Sequence, residues 1–166
     1  DDALQRIGDG LGCTINPDGV EDNFGGDGMI YRRVRGTFTA PQYLLEDRPP
    51  TMLSRDSSYN PIFVENREVP FTLIIPMSLY NSTEPGALTV FGHGFLGTGE
   101  GHVSGGLREW GEIYETALLA SDFYGWSSDD EDGISMGIMD MYYYTHQSDR
   151  LQQAMVNHVV MIRTFK

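Results

Sequence analysis

The feature that most constrains the fold is a short apolar run, Ala87-Leu88-Thr89-Val90-Phe91, that passes directly into Gly92-His93-Gly94-Phe95-Leu96-Gly97. The run does not alternate, as expected of a strand buried on both faces. A strand that ends in glycines delivers a pliable backbone loop to one end of a sheet. The glycine-rich stretch continues to Gly106 and reads as irregular chain. Beyond it, Leu107, Trp110, Ile113 and Tyr114 recur at helical spacing, and Thr116–Ala120 is a second short apolar run. A longer helix follows, with Ser148 as its N-cap and Leu151, Met155, His158 and Ile162 as its apolar stripe. Strand, helix, strand, helix is the α/β pattern, with parallel strands and right-handed crossovers.

Upstream the character differs. Residues 1–29 form a Gly/Asp-rich segment whose turn signals include Asn16-Pro17-Asp18-Gly19 and Gly25-Gly26-Asp27-Gly28. Its carboxylates (Asp18, Glu21, Asp22, Asp27) lack the spacing of a calcium loop, so a solvated loop is expected. Residues 30–85 read as a β-rich unit. Ile30–Thr39 alternates, with Val34 and Phe38 on one face and Arg33, Arg35 and Thr37 on the other. Residues 61–64 and 67–70 bracket Glu65-Asn66 as a hairpin, and Phe71–Ile75 is a strand stopped by Pro76. Residues 86–166 then form the first half of an α/β core.

Composition excludes several classes. The 166 residues carry a formal net charge of −13, and 40% are hydrophobic. That is too apolar for a disordered chain, and it lacks the basic patch that nucleic-acid binding requires. No transmembrane run is present, and no basic-then-apolar leader pattern opens the sequence, which leaves open that one has been removed. A single Cys13 rules out an internal disulfide, and the four His have no metal-ligand spacing. Asp129–Asp132 reads as a solvated acidic loop. A Met- and Tyr-rich stretch runs from Ile134 to Tyr144, and within it Ile138–Tyr144 reads as an amphipathic core helix, or alternatively as a lid over an acyl chain.

Gly92-x-Gly94-x-x-Gly97 formally matches a dinucleotide fingerprint, but that reading needs a helix to start at once. Strand-His93-Gly94-x-x-Gly97 instead resembles the α/β-hydrolase superfamily, in particular its bacterial lipase and esterase branch. Arg35-Gly36-Thr37-Phe38-x-x-Pro41, Pro70–Pro76, Asp122–Ser127 and Asp149–Met155 resemble the same group, in the same order. The resemblance spans roughly residues 30–166. It implies that Phe95 supplies a backbone N–H to an oxyanion hole, with His93 and Gly94 setting the turn. It implies acyl transfer to a Ser from an ester or lipid substrate, without a cofactor.

Gly133-Ile134-Ser135-Met136-Gly137 matches the nucleophile pattern, but the acidic residues before it do not make a buried strand. Ser135 is therefore expected near the start of a helix. The family order puts the true elbow after a helix ending near Phe165, and the acid and base later still. The remainder of the polypeptide, or a companion chain, is then expected to carry the nucleophile. On this reading the chain is one part of a secreted, cell-surface or periplasmic serine hydrolase, inactive alone. The alternative is a non-catalytic, hydrolase-like scaffold subunit in a larger extracellular assembly. Runs 87–91 and 116–120 are expected to leave open sheet edges in either case. His102 reads as a rim or surface residue or a ligand, and His158 as a core or interface histidine.

Overall fold

The computed structural model describes residues 2–166. Its centre is one five-stranded sheet in the order β1-β2-β3-β5-β4. β1 (Cys13–Asp22), β2 (Ile30–Gln42) and β3 (Glu65–Pro76) pair antiparallel. β5 (Thr116–Ala120) pairs antiparallel with β3, and β4 (Ala87–Phe91) lies parallel to β5 at the far edge. The helices are α1 (Asp2–Ile7), α2 (Met77–Asn81), α3 (Gly99–Val103), α4 (Leu107–Ile113), α5 (Glu131–Met139) and α6 (Tyr144–Thr164). The chain is thus a mixed sheet with flanking helices. One sheet runs through residues 30–85 and 86–166, joined where Thr72, Leu73 and Ile74 face Ala120, Leu119 and Leu118.

Alternation on the strands sorts the helices onto two faces. Leu119 packs with Val160 and Met161 of α6, and Val34, Phe38, Val69 and Phe71 join the same cluster. Leu118 and Ala120 turn the other way, against Val103 of α3, with Leu107 of α4 alongside. Each such buried aliphatic side chain stabilises the fold by about 1.5–3 kcal/mol.

Several local expectations are corrected. The N-terminal segment is not a loop, for it contains α1 and β1. β1 has no hydrophobic alternation; its one buried residue is Gly19, where a side chain would run into the Arg35 carbonyl. Backbone pairing and ions hold the strand: Asp22 meets Arg32 at 2.6 Å, and Glu21 meets Arg33 at 2.6 Å and Arg35 at 2.8 Å. No hairpin forms at Glu65-Asn66, because these residues begin β3 opposite Gln42 and Pro41. β4 is not buried on both faces: it is the edge strand, and Leu88 is 39% exposed. β5 has neighbours on both sides and leaves no open edge. The stretch after Gly97 is not irregular, since Thr98 caps α3 by accepting the Gly101 N–H at 3.1 Å.

The long helix differs most. α6 starts at Tyr144, and the Ser148 hydroxyl donates to the Thr145 carbonyl instead of capping. Met155 and Ile162 of the expected stripe are 59% and 48% exposed. The buried face carries Gln153, Ala154, Asn157, Val160 and Met161. The amides are there because β2 ends beneath them. Gln153 accepts the Tyr43 N–H at 2.8 Å and donates to the Pro41 carbonyl at 3.0 Å, and Gln42 donates to Asn157 at 3.1 Å.

Candidate functional site

β4 ends at Phe91, and His93, Gly94 and Phe95 follow at its carboxyl end. The loop is fastened from behind by the segment after β5. The Leu96 N–H donates to the Trp126 carbonyl at 2.8 Å, and the Ser128 N–H donates to the Gly97 carbonyl at 3.1 Å. A Gly97 N–H to Gly94 carbonyl bond of 3.0 Å closes the turn, and Leu96 takes a left-handed φ of 56°. The Phe95 ring meets Trp126 edge to face at 4.9 Å. Among the described residues the Phe95 N–H has no hydrogen-bond partner.

The glycines divide by cause. A side chain on Gly97 would lie 2.9 Å from the His102 ring, which would have to shift, and one on Gly99 would lie 3.0 Å from the Ala120 Cβ and the Ser121 backbone, so packing leaves little room at either position. At Gly92 and Gly94 a side chain would meet nothing within 4 Å, and neither has a positive φ. Nothing in the chain's own packing calls for glycine there. What the absent Cβ atoms leave is room for a group approaching the backbone from outside.

His93 is 6% exposed, and both ring nitrogens are engaged. Nε2 accepts the Phe123 N–H at 2.8 Å, which leaves the proton on Nδ1, 2.8 Å from the Gly94 carbonyl. The ring therefore ties the loop after β4 to the loop after β5. Asp122, at the start of the second loop, accepts the Gly99 N–H at 2.7 Å. Burial raises its carboxyl above the ordinary range, against that hydrogen bond and the nearby His93.

Behind this loop sits a buried ion pair. Asp130 is fully buried and meets Arg150 Nε at 2.6 Å. Its second oxygen accepts the Gly125 N–H (2.7 Å), the Ser127 N–H (3.1 Å) and the Ser127 hydroxyl (2.7 Å). The acidic run is thus no solvated loop. It forms a 3₁₀ turn at Ser128–Asp130 that leads into α5, and one of its carboxylates organises the segment to which Leu96 and Gly97 are fastened. Sequence reasoning missed this pair, because nothing in a run of four carboxylates marks which one turns inward.

A cavity of about 470 Å³ lies beside the fastened loops and not at Phe95. Asp47, Glu68, Asp122, Asp129 and Asp132 line it together with Arg48 and Arg150. Such a wall is unsuited to an acyl chain, so the cavity and the Phe95 amide are separate features.

The other sequence candidates lie elsewhere. Ser135 is exposed within α5, so the Gly-x-Ser-x-Gly match is helical and no strand–turn–helix elbow surrounds it. His102 lies in α3, its Nδ1 2.9 Å from the Thr98 carbonyl. His158 is half-buried, with Nδ1 3.0 Å from the Ala154 carbonyl and its ring 4.8 Å from that of Phe123. Ile138, Met139, Met141, Tyr142 and Tyr144 are 56–87% exposed, so this stretch is not the core helix expected. No group of His, Cys, Asp and Glu among the described residues is arranged to hold a metal ion. No helix among them is long and apolar enough to cross a membrane.

Comparison with protein-family models, curated proteins and solved structures returns no match.

Proposed function

We propose that this chain contributes the oxyanion-binding loop of a serine hydrolase acting on esters or lipids, with the Phe95 N–H as donor. The observation that carries the reading is an unpartnered backbone N–H in a glycine loop at the carboxyl end of a strand, fastened from behind. Stabilising a developing oxyanion requires a donor that is rigid before the reaction and free to bind. The bonds from Trp126 and Ser128 supply the rigidity, and Gly92 and Gly94 supply the access.

Topology supports the placement. α3 and α4 carry the chain from β4 to β5 over one face, and α6 returns over the other. Two right-handed crossovers on opposite faces run in opposite directions. A parallel strand following α6 therefore belongs on the free edge of β4, and its exit loop would stand next to Gly94 and Phe95. Ligands of open α/β sheets bind where the crossover direction switches. The nucleophile comes from that strand or from a companion chain, not from Ser135, and a secreted, cell-surface or periplasmic location goes with this reading.

The exposed apolar surface at Ile138–Tyr144 and the open β4 edge also fit a scaffold that binds another polypeptide. Activity separates the two. Peptide mapping of the native material shows whether a strand and a Gly-x-Ser-x-Gly turn accompany the chain. If they do, p-nitrophenyl ester turnover is expected from that polypeptide. Phe95→Pro, which removes the N–H, should then lower kcat by about 10²–10³ with little change in KM. Turnover by the 166-residue chain alone, abolished by Ser135→Ala, would overturn the assignment. Native material with no such serine would leave the scaffold.

A further inference from the structure

The turn after β4 is closed by the Gly97–Gly94 backbone bond, so it does not need an imidazole. His93 is nevertheless buried, with one nitrogen on each of two loops. We propose that His93 is a positioning residue: a neutral latch, protonated on Nδ1 alone, that holds the β4 exit loop to the β5 exit loop and releases it when Nε2 takes up a proton. The latch stands without the acyl-transfer reading; only its effect on catalysis rests on that reading.

The chemistry is a change of sign at one atom. A backbone N–H can only donate, and neutral Nε2 accepts from it at 2.8 Å. Once protonated, Nε2 is itself a donor, and two donors face each other across that distance. The Phe123 N–H is then left without its partner and the ring must move, taking the Nδ1 contact to Gly94 with it. Phe123 lies between Asp122, which anchors Gly99, and Trp126, which accepts from Leu96, so the displacement reaches both supports of the Phe95 loop. Imidazole is the side chain that can switch between these two states by taking up a single proton.

The neighbours act in both directions. Asp122, on the β5 exit loop, favours a charged ring. His158, packed from α6 on the Phe123 ring, opposes one when it is itself charged. No residue from Gly92 to Thr98 other than His93 is titratable. On α3, Glu100 is engaged with Arg33 at 3.0 Å and His102 with the Thr98 carbonyl.

The test is an NMR pH titration of the protein, following the His93 imidazole and the Phe123, Leu96 and Gly97 amides. The expected result is a neutral Nδ1–H tautomer at high pH and one-proton transitions of all three amides at the His93 midpoint. Protection of the Phe123 amide from exchange should fall about tenfold across that transition. His93→Gln offers a non-titrating acceptor in the same place and should hold the amides constant over the same range. The proposal is overturned if His93 titrates while the Phe123 amide does not, or if the Nε2–H tautomer is found. It is equally overturned if the amide transitions persist in His93→Gln, which would assign them to Asp122 or His158. Should His93→Gln fail to fold, the wild-type tautomer and midpoints decide alone. An acid loss of esterase turnover without these amide transitions would sink the latch but leave the hydrolase reading, whereas the transitions in native material that carries the serine yet turns over no ester would do the reverse.

Discussion

Replacing Arg150 with Leu tests what holds the site in place. Arg150 is 4% exposed and Asp130 is fully buried, so the pair is shielded from solvent. Without the guanidinium, Asp130 keeps the three donors on one oxygen but has none on the other, and the Asp47 carbonyl loses a 2.6 Å bond from Arg150 Nη1. Contact of the guanidinium with the Tyr124 ring, 5.0 Å away, also goes. Removing one member of a buried pair costs about 3–5 kcal/mol, because the remaining charge is left uncompensated. For a chain of this size that lowers Tm by roughly 6–20 °C. Asp130→Asn should cost a similar amount, since it leaves the guanidinium buried without its counter-charge. The double variant should cost less than the sum by about 2 kcal/mol, both charges then being gone. Urea unfolding followed by circular dichroism, with m-values compared, gives all four corners of the cycle. A cost below about 1 kcal/mol for Arg150→Leu is what exposed pairs give. It would place Arg150–Asp130 with pairs such as Arg6–Asp2, whose side chains are 42% and 52% exposed, and would refute the argument that this pair organises the loop.

Three further outcomes are expected. Gly99→Ala, forced against Ala120 and the Ser121 backbone, should cost about 1–3 kcal/mol, while Gly94→Ala, facing open space, should stay within about 0.5 kcal/mol; thermal unfolding compares them. Burial raises the Asp122 carboxyl above its ordinary 3.8, so its contribution is fully present below that value and is lost as pH rises through the folded value. Asp122→Asn, which can still accept the Gly99 N–H, should therefore raise Tm at pH 7, with the gain vanishing below about pH 4. Burial lowers His158 from its ordinary 6.5, so the folded chain binds fewer protons there and the contribution present above 6.5 is lost as pH falls through the folded value. His158→Gln should flatten that part of the stability–pH curve, read from denaturant midpoints.

Legibility followed the source of each residue's stability. β2, β3 from Phe71 onward and β5 were readable because the apolar pattern there is the cause of burial: Val34, Phe38 and Leu119 point where the pattern says. The helical spacing found α4 but not its face, since Trp110, Ile113 and Tyr114 are 40%, 64% and 63% exposed. β1 was not, because backbone pairing and arginine contacts make it, and neither leaves a period in the sequence. The face of α6 was misassigned for a related reason. Gln153 and Asn157 look like solvent residues until β2 ends beneath them with backbone groups that need partners. β4 reads as buried on both faces and is found at an edge. The loop it feeds was legible as a motif, but what fastens the loop was not, since the Gly97 and Leu96 bonds come from residues some 30 positions away.

The arginines bring these points together. Of the ten, Arg6, Arg32, Arg33, Arg35, Arg55, Arg67, Arg108 and Arg150 meet carboxylates, and Arg163 donates to the Leu4 and Gly8 carbonyls. Nearly all the fixed positive charge is therefore committed to internal contacts. The fork of the guanidinium suits this use: Arg33 and Arg35 both reach Glu21, and Arg33 also reaches Glu100 at 3.0 Å, joining β1, β2 and α3. A lysine ammonium would not span three elements in this way, and the single lysine is Lys166. What remains unneutralised is negative, and part of it, on Glu68, Asp122, Asp129 and Asp132, lines the cavity beside the fastened loops. The composition that excluded nucleic acid thus also describes the site's surroundings: a neutral backbone donor held at the edge of an anionic surface. An anionic ester would meet repulsion on approach and a neutral one would not. On the proposed hydrolase reading, raising salt should therefore speed turnover of an anionic ester by the polypeptide that carries the serine and leave a neutral ester unaffected. Equal salt responses for the two would show that the cavity's charge does not reach the reaction centre.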